Sequence, residues 1–169
     1  NTDKFNNQIK KQIKDINDNF EVELKKVNIL LDPFEFVIKA KTIGTNLRYK
    51  DKVVKLESIK STISIKSLID QNPKLKDLTI STKLIEIKNL ISFLRNFNND
   101  AKFYLAEKIV NKGFIVANVN LEFDKDGKIK NNFRVNGFVK DGKISFFKEN
   151  YLSKIDFNFN FKENEINIE

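Results

Sequence analysis

The chain has 169 residues, of which 40% are hydrophobic and 32% are charged, and this balance favours one globular domain over a disordered chain. It contains neither Cys nor His, which excludes disulfides, thiolate sites and the side chain that most often serves as general base or metal ligand. The formal net charge is +8, but only three of the 31 basic residues are Arg, the side chain preferred for bidentate contacts with nucleic acid.

An amphipathic helix is the first predicted element and occupies the N-terminal segment, residues 1–19. Apolar side chains recur there at helical spacing, with Lys and Gln between them, at Phe5, Ile9, Ile13 and Ile16. No apolar run in the chain approaches the ~20 residues that span a bilayer, and no signal peptide is recognisable. Because the sequence lacks an initiating Met, we expect it to be a segment of a longer protein.

Strand-like alternation replaces the helical period from Phe20 onwards, and we predict a first strand meander over residues 20–88. The apolar positions change face near Lys25–Lys26, which predicts a bulge or a twist, and Asp32–Pro33 predicts a tight turn. The strand predicted after this turn has every second residue apolar, at Phe34, Phe36, Ile38 and Ala40.

Further turns divide the rest of this meander. Gly44 opens one turn, and the polar residues 50–52 predict a hairpin whose second strand continues, after a change of phase, through Ile65. After a break at Asn72–Pro73 the strands resume, with apolar positions at Leu78, Ile80, Ile85 and Ile87.

Two short helices are predicted in the middle of the chain, over residues 89–112. Asn89 is the predicted N-terminal cap of the first, which carries Leu90, Ile91, Leu94 and Phe97. The second is predicted to begin after Asn99–Asp100 and to end at Gly113 as a C-terminal cap.

A second strand meander is predicted over residues 113–169, with hairpin turns at two Asp-Gly pairs. Asp126–Gly127 and Asp141–Gly142 both favour tight turns, because Asp and Gly tolerate positive φ. In IDFNFNF (155–161) apolar and polar residues alternate strictly, with the apolar positions at Ile155, Phe157, Phe159 and Phe161, and Ile166 and Ile168 resume the alternation. This period predicts one dry face and one wet face.

Residues that would carry catalysis or hold a metal are not recognisable in the sequence. DKDGK (124–128) superficially resembles a calcium loop, but its glycine comes fourth where an EF-hand needs it sixth, so a hairpin is favoured. Carboxylates such as Glu57, Asp77 and Glu86 are scattered among lysines, and no nucleotide-binding or nucleophile motif is present. We therefore predict no enzymatic activity, catalytic residue, metal or cofactor.

The order of strands and turns carries the most distinctive pattern. In ANVNLEFDKDGKIKNNFRVNGFVKDGKISFFKENYLSKIDFNFNFKENEINI a strand ends at Phe123–Asp124, a turn follows, and the GKIS and LSKIDFNFNF strands come next. Together with VELKKVNILLDPFEFVIKAKTIGTNLRYKDKVVKLESIKSTISIKSLI and LKDLTISTKLIEIKNL, this pattern resembles the AsmA-like family of bacterial envelope proteins (the AsmA, TamB and YhdP type). The resemblance covers residues 20–169.

The pattern and the resemblance together predict an α+β fold that is mainly antiparallel β. A long curved meander sheet would carry the N-terminal helix, and the central pair of short helices would cover part of its apolar face. The resemblance further implies a periplasmic segment of a protein anchored in the inner membrane by an N-terminal helix absent from this chain. It implies phospholipid carried between membranes in an apolar β-groove. Partners would be phospholipid acyl chains and further strands of the parent chain, and no nucleic acid.

Burial energetics leads separately to the same expectation. Each fully buried Phe or Ile contributes about 1.5–3 kcal/mol, so a dozen left exposed would exceed the net stability of a domain. Two short helices cannot cover a sheet of about eight or more strands, so either the sheet closes on itself or acyl chains fill the remainder. The predicted lipid-facing residues are Val22, Leu24, Phe36, Ile38, Ile63, Ile65, Leu78, Ile80, Val119, Leu121, Phe123, Phe133, Val135, Ile144, Phe146, Phe157, Phe159 and Phe161.

Two other functions stay open at this point. A structural or interaction module would have a closed core, no ligand, and open sheet edges that pair with further strands. A basic nucleic-acid-binding domain is less favoured, because the lysine-rich charge fits a solvated face or attraction to anionic lipid headgroups better.

Overall fold

In the part of the chain that the structure describes, the residues form one open, curved antiparallel sheet of eleven strands, with three short helices between residues 65 and 109. A computed structural model describes residues 7, 10, 14, 18–50, 52–69, 74–95, 101–128, 130, 132–147, 150–162 and 165–169. The predicted fold class, α+β with a curved, mainly antiparallel meander sheet, is confirmed.

The elements follow one another with short connections. The strands are β1 (Phe20–Glu23), β2 (Lys26–Asp32), β3 (Val37–Ile43), β4 (Asn46–Tyr49), β5 (Lys52–Ser64), β6 (Leu75–Thr82), β7 (Ile85–Glu86), β8 (Val110–Glu122), β9 (Arg134–Phe147), β10 (Asn150–Lys162) and β11 (Glu165–Ile168). The helices are α1 (Ile65–Ile69), α2 (Ile87–Arg95) and α3 (Ala101–Ile109). Across the sheet the order is β1-β4-β5-β6-β8-β9-β10-β11, with β2 beside β3, β3 also beside β5, and β7 beside β8.

Part of the prediction falls on residues that are not described. Of the N-terminal helix, Asn7, Lys10 and Lys14 are described, and all three are helical and exposed. The positions outside the described residues are Phe5, Ile9, Ile13, Ile16, Asn72–Pro73, Phe97 and Asn99–Asp100.

The first half of the sheet is a meander whose strands are interrupted without losing register. β1 pairs β4 and β2 pairs β3, and the same antiparallel register continues across the interruption. The change of face near Lys25 is therefore a break between two strands, at Leu24 and Lys25, and not a bulge within one strand. The predicted turn at Gly44 is confirmed, with φ of 68°, and so is the reversal between Tyr49 and Lys52.

The turn between β2 and β3 is longer than predicted. The Oδ1 atom of Asp32 accepts hydrogen bonds from the backbone N–H groups of Phe34 (3.2 Å) and Glu35 (3.1 Å). This Asx-type turn keeps both residues out of the hydrogen-bonded ladder between β2 and β3. Phe36 then takes a positive φ of 52°. The strand predicted from Phe34 begins only at Val37, and the strand assignment of Phe36 was wrong.

Ile65 was also wrongly assigned to a strand. β5 ends at Ser64, and Ile65 is the first residue of α1. The N–H of Ile65 donates to the carbonyl of Phe36 (2.9 Å), and the hydroxyl of Ser67 donates to the carbonyl of Ser64 (2.7 Å). Because these bonds satisfy the backbone at the strand end, the chain leaves the sheet there.

The predicted caps of the two central helices were wrong. α2 begins at Ile87, two residues before Asn89, and α3 is followed directly by β8. Gly113 lies inside β8, where a Cβ atom would come within 2.9 Å of Ile87 Cδ1 and 3.0 Å of Gly142 Cα. Glycine is needed there for close approach and for its φ of 139°, and not for ending a helix.

Of the two Asp-Gly turns, one is confirmed and one is wrong. The chain reverses at Asp126–Gly127 between β8 and β9, and the N–H of Gly127 donates to the carbonyl of Asp124 (3.1 Å). Asp141–Gly142 instead lies inside β9, where Asp141 has φ of 52° and the register with β10 is irregular nearby. The positive φ serves a bulge within a paired strand.

The turn at Asp124 provides a pH-dependent prediction. Its Oδ1 atom accepts hydrogen bonds from the backbone N–H groups of Lys128 (2.9 Å) and Asp126 (2.8 Å). The bond from Lys128 is the main reason why the pKa of Asp124 is lowered. A lowered pKa means that this stabilisation is present at neutral pH and is lost as the pH falls through the pKa of the folded state. We expect Asp124→Ala to lower the urea midpoint at pH 7, and the difference from wild type to shrink as the pH falls below about 4.

The neighbouring Asp126 supplies the control. Its carboxylate is exposed and makes no hydrogen bond to a described residue, so Asp126→Ala should leave the urea midpoint nearly unchanged. Equal losses for the two variants at pH 7 would contradict the role assigned to Asp124.

Candidate functional site

One face of the sheet carries a continuous row of apolar side chains that crosses the strands. Directly opposed residues of antiparallel strands point to the same face, so the register identifies the row. From β5 to β10 it runs Ile59, Ile80, Val119, Val135 and Phe161, and Ile168 of β11, directly opposite Phe159, lies on the same side; we call this side the apolar face. The opposite side, the polar face, carries Lys60, Thr79, Asn120, Arg134, Lys162 and Glu165 in the adjacent row.

Helix α2 closes the first half of the apolar face. Phe93 of α2 is only 5% exposed and packs edge-to-face on Tyr49, with ring centroids 6.3 Å apart. Together with these two rings, the buried cluster contains Val22, Val54, Leu56, Ile59 and Leu78, and the partly buried side chains against it are Leu24, Leu47, Ile80, Ile85, Leu94, Leu121 and Phe123. Six predicted lipid-facing residues thus belong to a core that the chain closes itself: Val22, Leu24, Leu78, Ile80, Leu121 and Phe123.

A second group of predicted residues lies on β8 to β10 and just before β9. Val119, Phe133, Val135, Phe157, Phe159 and Phe161 are half-buried and point to the apolar face. Their rings are close together, at 5.5 Å between Phe133 and Phe161 and 6.4 Å between Phe157 and Phe159. Since α2 packs mainly on β5, β7 and β8, and α3 on β8 and β9, strands β10 and β11 extend beyond the main contacts of these two helices.

The remaining predicted residues are not brought into either group. Ile38 and Ile63 face each other at the far side of the first meander, and Ile63 is only 2% exposed. Ile144 lies at the other end of β9, opposite Val110 and Leu152. Phe36 is in a turn and 71% exposed, and Ile65 is in α1. Phe146 lies in β9, but its side chain is outside the described part of the structure.

Gly137 leaves room for the ring of Phe159 close to the backbone of β9. The two residues are directly opposed on β9 and β10. A Cβ atom at Gly137 would come within 2.6 Å of Phe159 Cζ, so the ring occupies the space that any other side chain would fill. The position of the Phe159 ring on the apolar face therefore depends on glycine at this one site.

Sequence reasoning missed a groove on the polar face. A cavity of about 830 Å³ lies over β8 to β11, and we call it the asparagine groove after five residues that line it: Asn118, Asn136, Asn158, Asn160 and Asn167. The other lining residues are Val116, Gly137, Phe138, Phe159, Ile168 and Glu169. The available signal was asparagine at every second position of NFN (158–160), which predicts one shared face but was interpreted only as a wet surface.

The charged groups with perturbed pKa values lie on the solvated surface. A hydrogen bond from Lys39 lowers the pKa of Asp32, and the same bond raises the pKa of Lys39. Hydrogen bonds from Asn132 and then Lys130 lower the pKa of Glu122. These are pairwise surface contacts. In the described part of the chain, no group of three or more carboxylates could hold a metal ion.

Two further findings concern membrane-spanning helices and similarity to known proteins. None of the described helices is long and apolar enough to cross a membrane. Comparisons with protein-family models, with curated proteins and with solved structures found no match to this chain.

Proposed function

We propose that this chain is a lipid-binding segment of an AsmA-like envelope protein, which holds phospholipid acyl chains on the apolar face of β9 to β11. It would lie on the periplasmic side of the inner membrane, anchored by a helix outside this chain, and contribute to lipid transport between membranes. The observation that carries the proposal is an apolar row that continues to β11, past the strands that α2 and α3 cover.

The chemistry of this surface suits hydrocarbon. Its aromatic side chains sit beside Val135 and Val139, and Ile168 at the last strand is 65% exposed. Acyl chains need no hydrogen bonds, so a surface of Phe, Val and Ile satisfies them completely. Covering apolar area is worth about 25 cal/mol per Å², so even partial cover by a lipid tail is favourable.

The half of the apolar face that α2 covers is assigned to folding and not to lipid binding. The cluster around Leu56 and Phe93 serves as the folding core, because its own side chains already exclude water. Lipid is assigned only to the strands beyond it. The proposed site is therefore smaller than the full set of residues predicted from the sequence, and consists of Val135, Phe157, Phe159, Phe161 and Ile168.

A charge placed on the apolar face should abolish lipid uptake. We expect the 169-residue chain, purified from bacterial cells without detergent, to carry phospholipid detectable by mass spectrometry after solvent extraction. We expect Ile168→Asp to reduce uptake of a fluorescent phospholipid from vesicles by at least about tenfold, because an unpaired carboxylate against hydrocarbon is costly. Ile168 is largely exposed, so this change should leave thermal unfolding nearly unaltered.

The neighbouring residue gives a matched control. Asn167 lies on the same strand but points to the polar face, and Asn167→Asp adds the same charge. It should leave uptake unchanged. Wild-type protein that carries no phospholipid and takes none up from vesicles would overturn the proposal, and so would equal losses in the two variants.

A second candidate function is strand addition to a protein partner, and the edge strand β2 favours it. In the described part of the chain β2 pairs only with β3, and its side chains Ile29, Leu30 and Leu31 are 42%, 65% and 59% exposed. An apolar edge with unpaired backbone groups is a template for another strand. Protein that holds no lipid but forms a defined oligomer by light scattering would favour this function over the first.

A further inference from the structure

We propose that the asparagine groove on the polar face binds an uncharged oligosaccharide. The asparagines of the groove lie on the other side of β8 to β11 from the proposed lipid surface, and Phe159 and Ile168 are the lining residues that the two sites share. Its volume of about 830 Å³ falls within the range of about 300–1,000 Å³ that is usual for small-molecule sites.

The five carboxamides of the groove are arranged as a two-dimensional array. Asn118, Asn136, Asn160 and Asn167 are directly opposed on four successive strands, so they form one line across the sheet. Asn158 lies two residues from Asn160 on the same face. With strands about 4.8 Å apart, the line spans roughly 14 Å, which presents several amide groups to one extended ligand.

These carboxamides have free hydrogen-bonding capacity. None of the five makes a side-chain hydrogen bond to another described residue, and four of them are exposed. Other asparagines nearby are used within the protein: Asn120 accepts from the Thr79 hydroxyl (2.9 Å), and Asn132 donates to Glu122 (3.1 Å). Each free carboxamide offers two donors and an acceptor, which matches sugar hydroxyl groups that both donate and accept.

The rest of the lining favours an uncharged sugar over an anion. Among the described lining residues Glu169 carries the one charged side chain, and its carboxylate accepts hydrogen bonds from hydroxyls but repels phosphate and carboxylate. The cations Arg134 and Lys162 face the same side but lie outside the lining. Phe138, which is 37% exposed, adds an apolar surface in the groove for the C–H face of a pyranose ring.

Titration with neutral sugars tests this proposal. Isothermal titration calorimetry of the 169-residue chain should show binding of at least one of cellohexaose, N-acetylchitohexaose and maltohexaose, with Kd of about 1 mM or tighter. Binding should not weaken with added salt, because the ligand carries no charge. In amide-detected NMR of the same protein, the side-chain NH2 signals of Asn136 and Asn160 should shift on addition of that sugar.

Valine substitutions isolate the carboxamides. Asn136→Val with Asn160→Val removes two amides but keeps strand propensity, and should weaken binding by at least about tenfold. Asn28→Val is the matched control, since Asn28 is an exposed strand residue of the polar face far from the groove, and should leave binding unchanged. Phe138→Ala should also weaken binding.

Several results would overturn the proposal. One is that none of the three hexaoses binds at about 10 mM. A second is that the double valine variant binds as tightly as wild type and the signals of Asn136 and Asn160 do not shift. A third is that Asn28→Val weakens binding as much as the double valine variant does. Binding in the groove of heparin that fades with salt, or of an extended peptide, with no binding of the sugars would likewise assign the groove to another ligand.

Discussion

Gly137→Ala is expected to destabilise the protein by about 3 kcal/mol or more, because the added methyl group has no space. It would lie 2.2 Å from the carbonyl oxygen of Val116 and 2.6 Å from the ring of Phe159. A side chain can rotate away, but the carbonyl belongs to the backbone of β8, so β8 and β9 must separate. Urea unfolding followed by circular dichroism measures the loss, and failure to accumulate as soluble protein would be its extreme form.

Two comparisons distinguish this steric effect from a general cost of replacing glycine. At Gly127, which has φ of 80° and no atom within 4 Å of an added Cβ, alanine should cost only about 1–2 kcal/mol from backbone strain. Adding Phe159→Ala to Gly137→Ala should recover only part of the loss, because the carbonyl contact remains. Full recovery in the double variant, or similar losses at the two glycines, would contradict the explanation.

The second large effect is expected at Phe93, where alanine should lower the free energy of unfolding by about 3–5 kcal/mol. Phe93 is 5% exposed and joins α2 to the side chains of β1, β4, β5 and β6. Its removal leaves a cavity over the ring of Tyr49, in the part of the molecule where sheet and helix exclude water together. Chemical denaturation at neutral pH is the direct measurement.

Leu105 of α3 provides the control for Phe93. It is 59% exposed, so Leu105→Ala should change stability by no more than about 0.5 kcal/mol. If the two variants lost equal stability, α2 would not close the core. If Phe93→Ala were neutral while lipid uptake fell, the lipid would occupy the helix-covered half, and the proposed division of the apolar face would be wrong.

Alternation and turn chemistry predicted most of the strands. The period of two identified β10, where Phe157, Phe159 and Phe161 share one face. Turn signals at Gly44 and Asp126–Gly127 were confirmed, and in the second turn the Asp124 carboxylate accepts hydrogen bonds from two backbone N–H groups.

The errors have one physical cause. A residue type that tolerates a conformation does not reveal which structure uses it. Asp141 takes a positive φ inside a strand and was mistaken for a hairpin turn, and Gly113 serves close approach between elements and was mistaken for a helix cap. Phe36 fits strand alternation, but the carboxylate of Asp32 holds the preceding residues in a turn.

The candidate site was predicted less completely than the fold. Alternation assigns a residue to a face, but only the packing of α2 decides that Leu78 is sealed while Phe161 is not. The asparagine groove depends on the curvature of the sheet and on the pairing of four strands, and neither is encoded by any single stretch of sequence.

The ladder between β10 and β11 has a consequence for how much hydrocarbon such a sheet can shelter. In the described part of the chain, β11 is bonded along one side only, and Ile168 extends the line of Phe159 to this rim. A strand that paired with β11 there would widen the apolar face by about 4.8 Å while leaving every existing contact in place. The amount of hydrocarbon that the sheet can cover would then grow with the number of strands. A longer lipid, or a second lipid, would require a wider apolar face and not a deeper pocket.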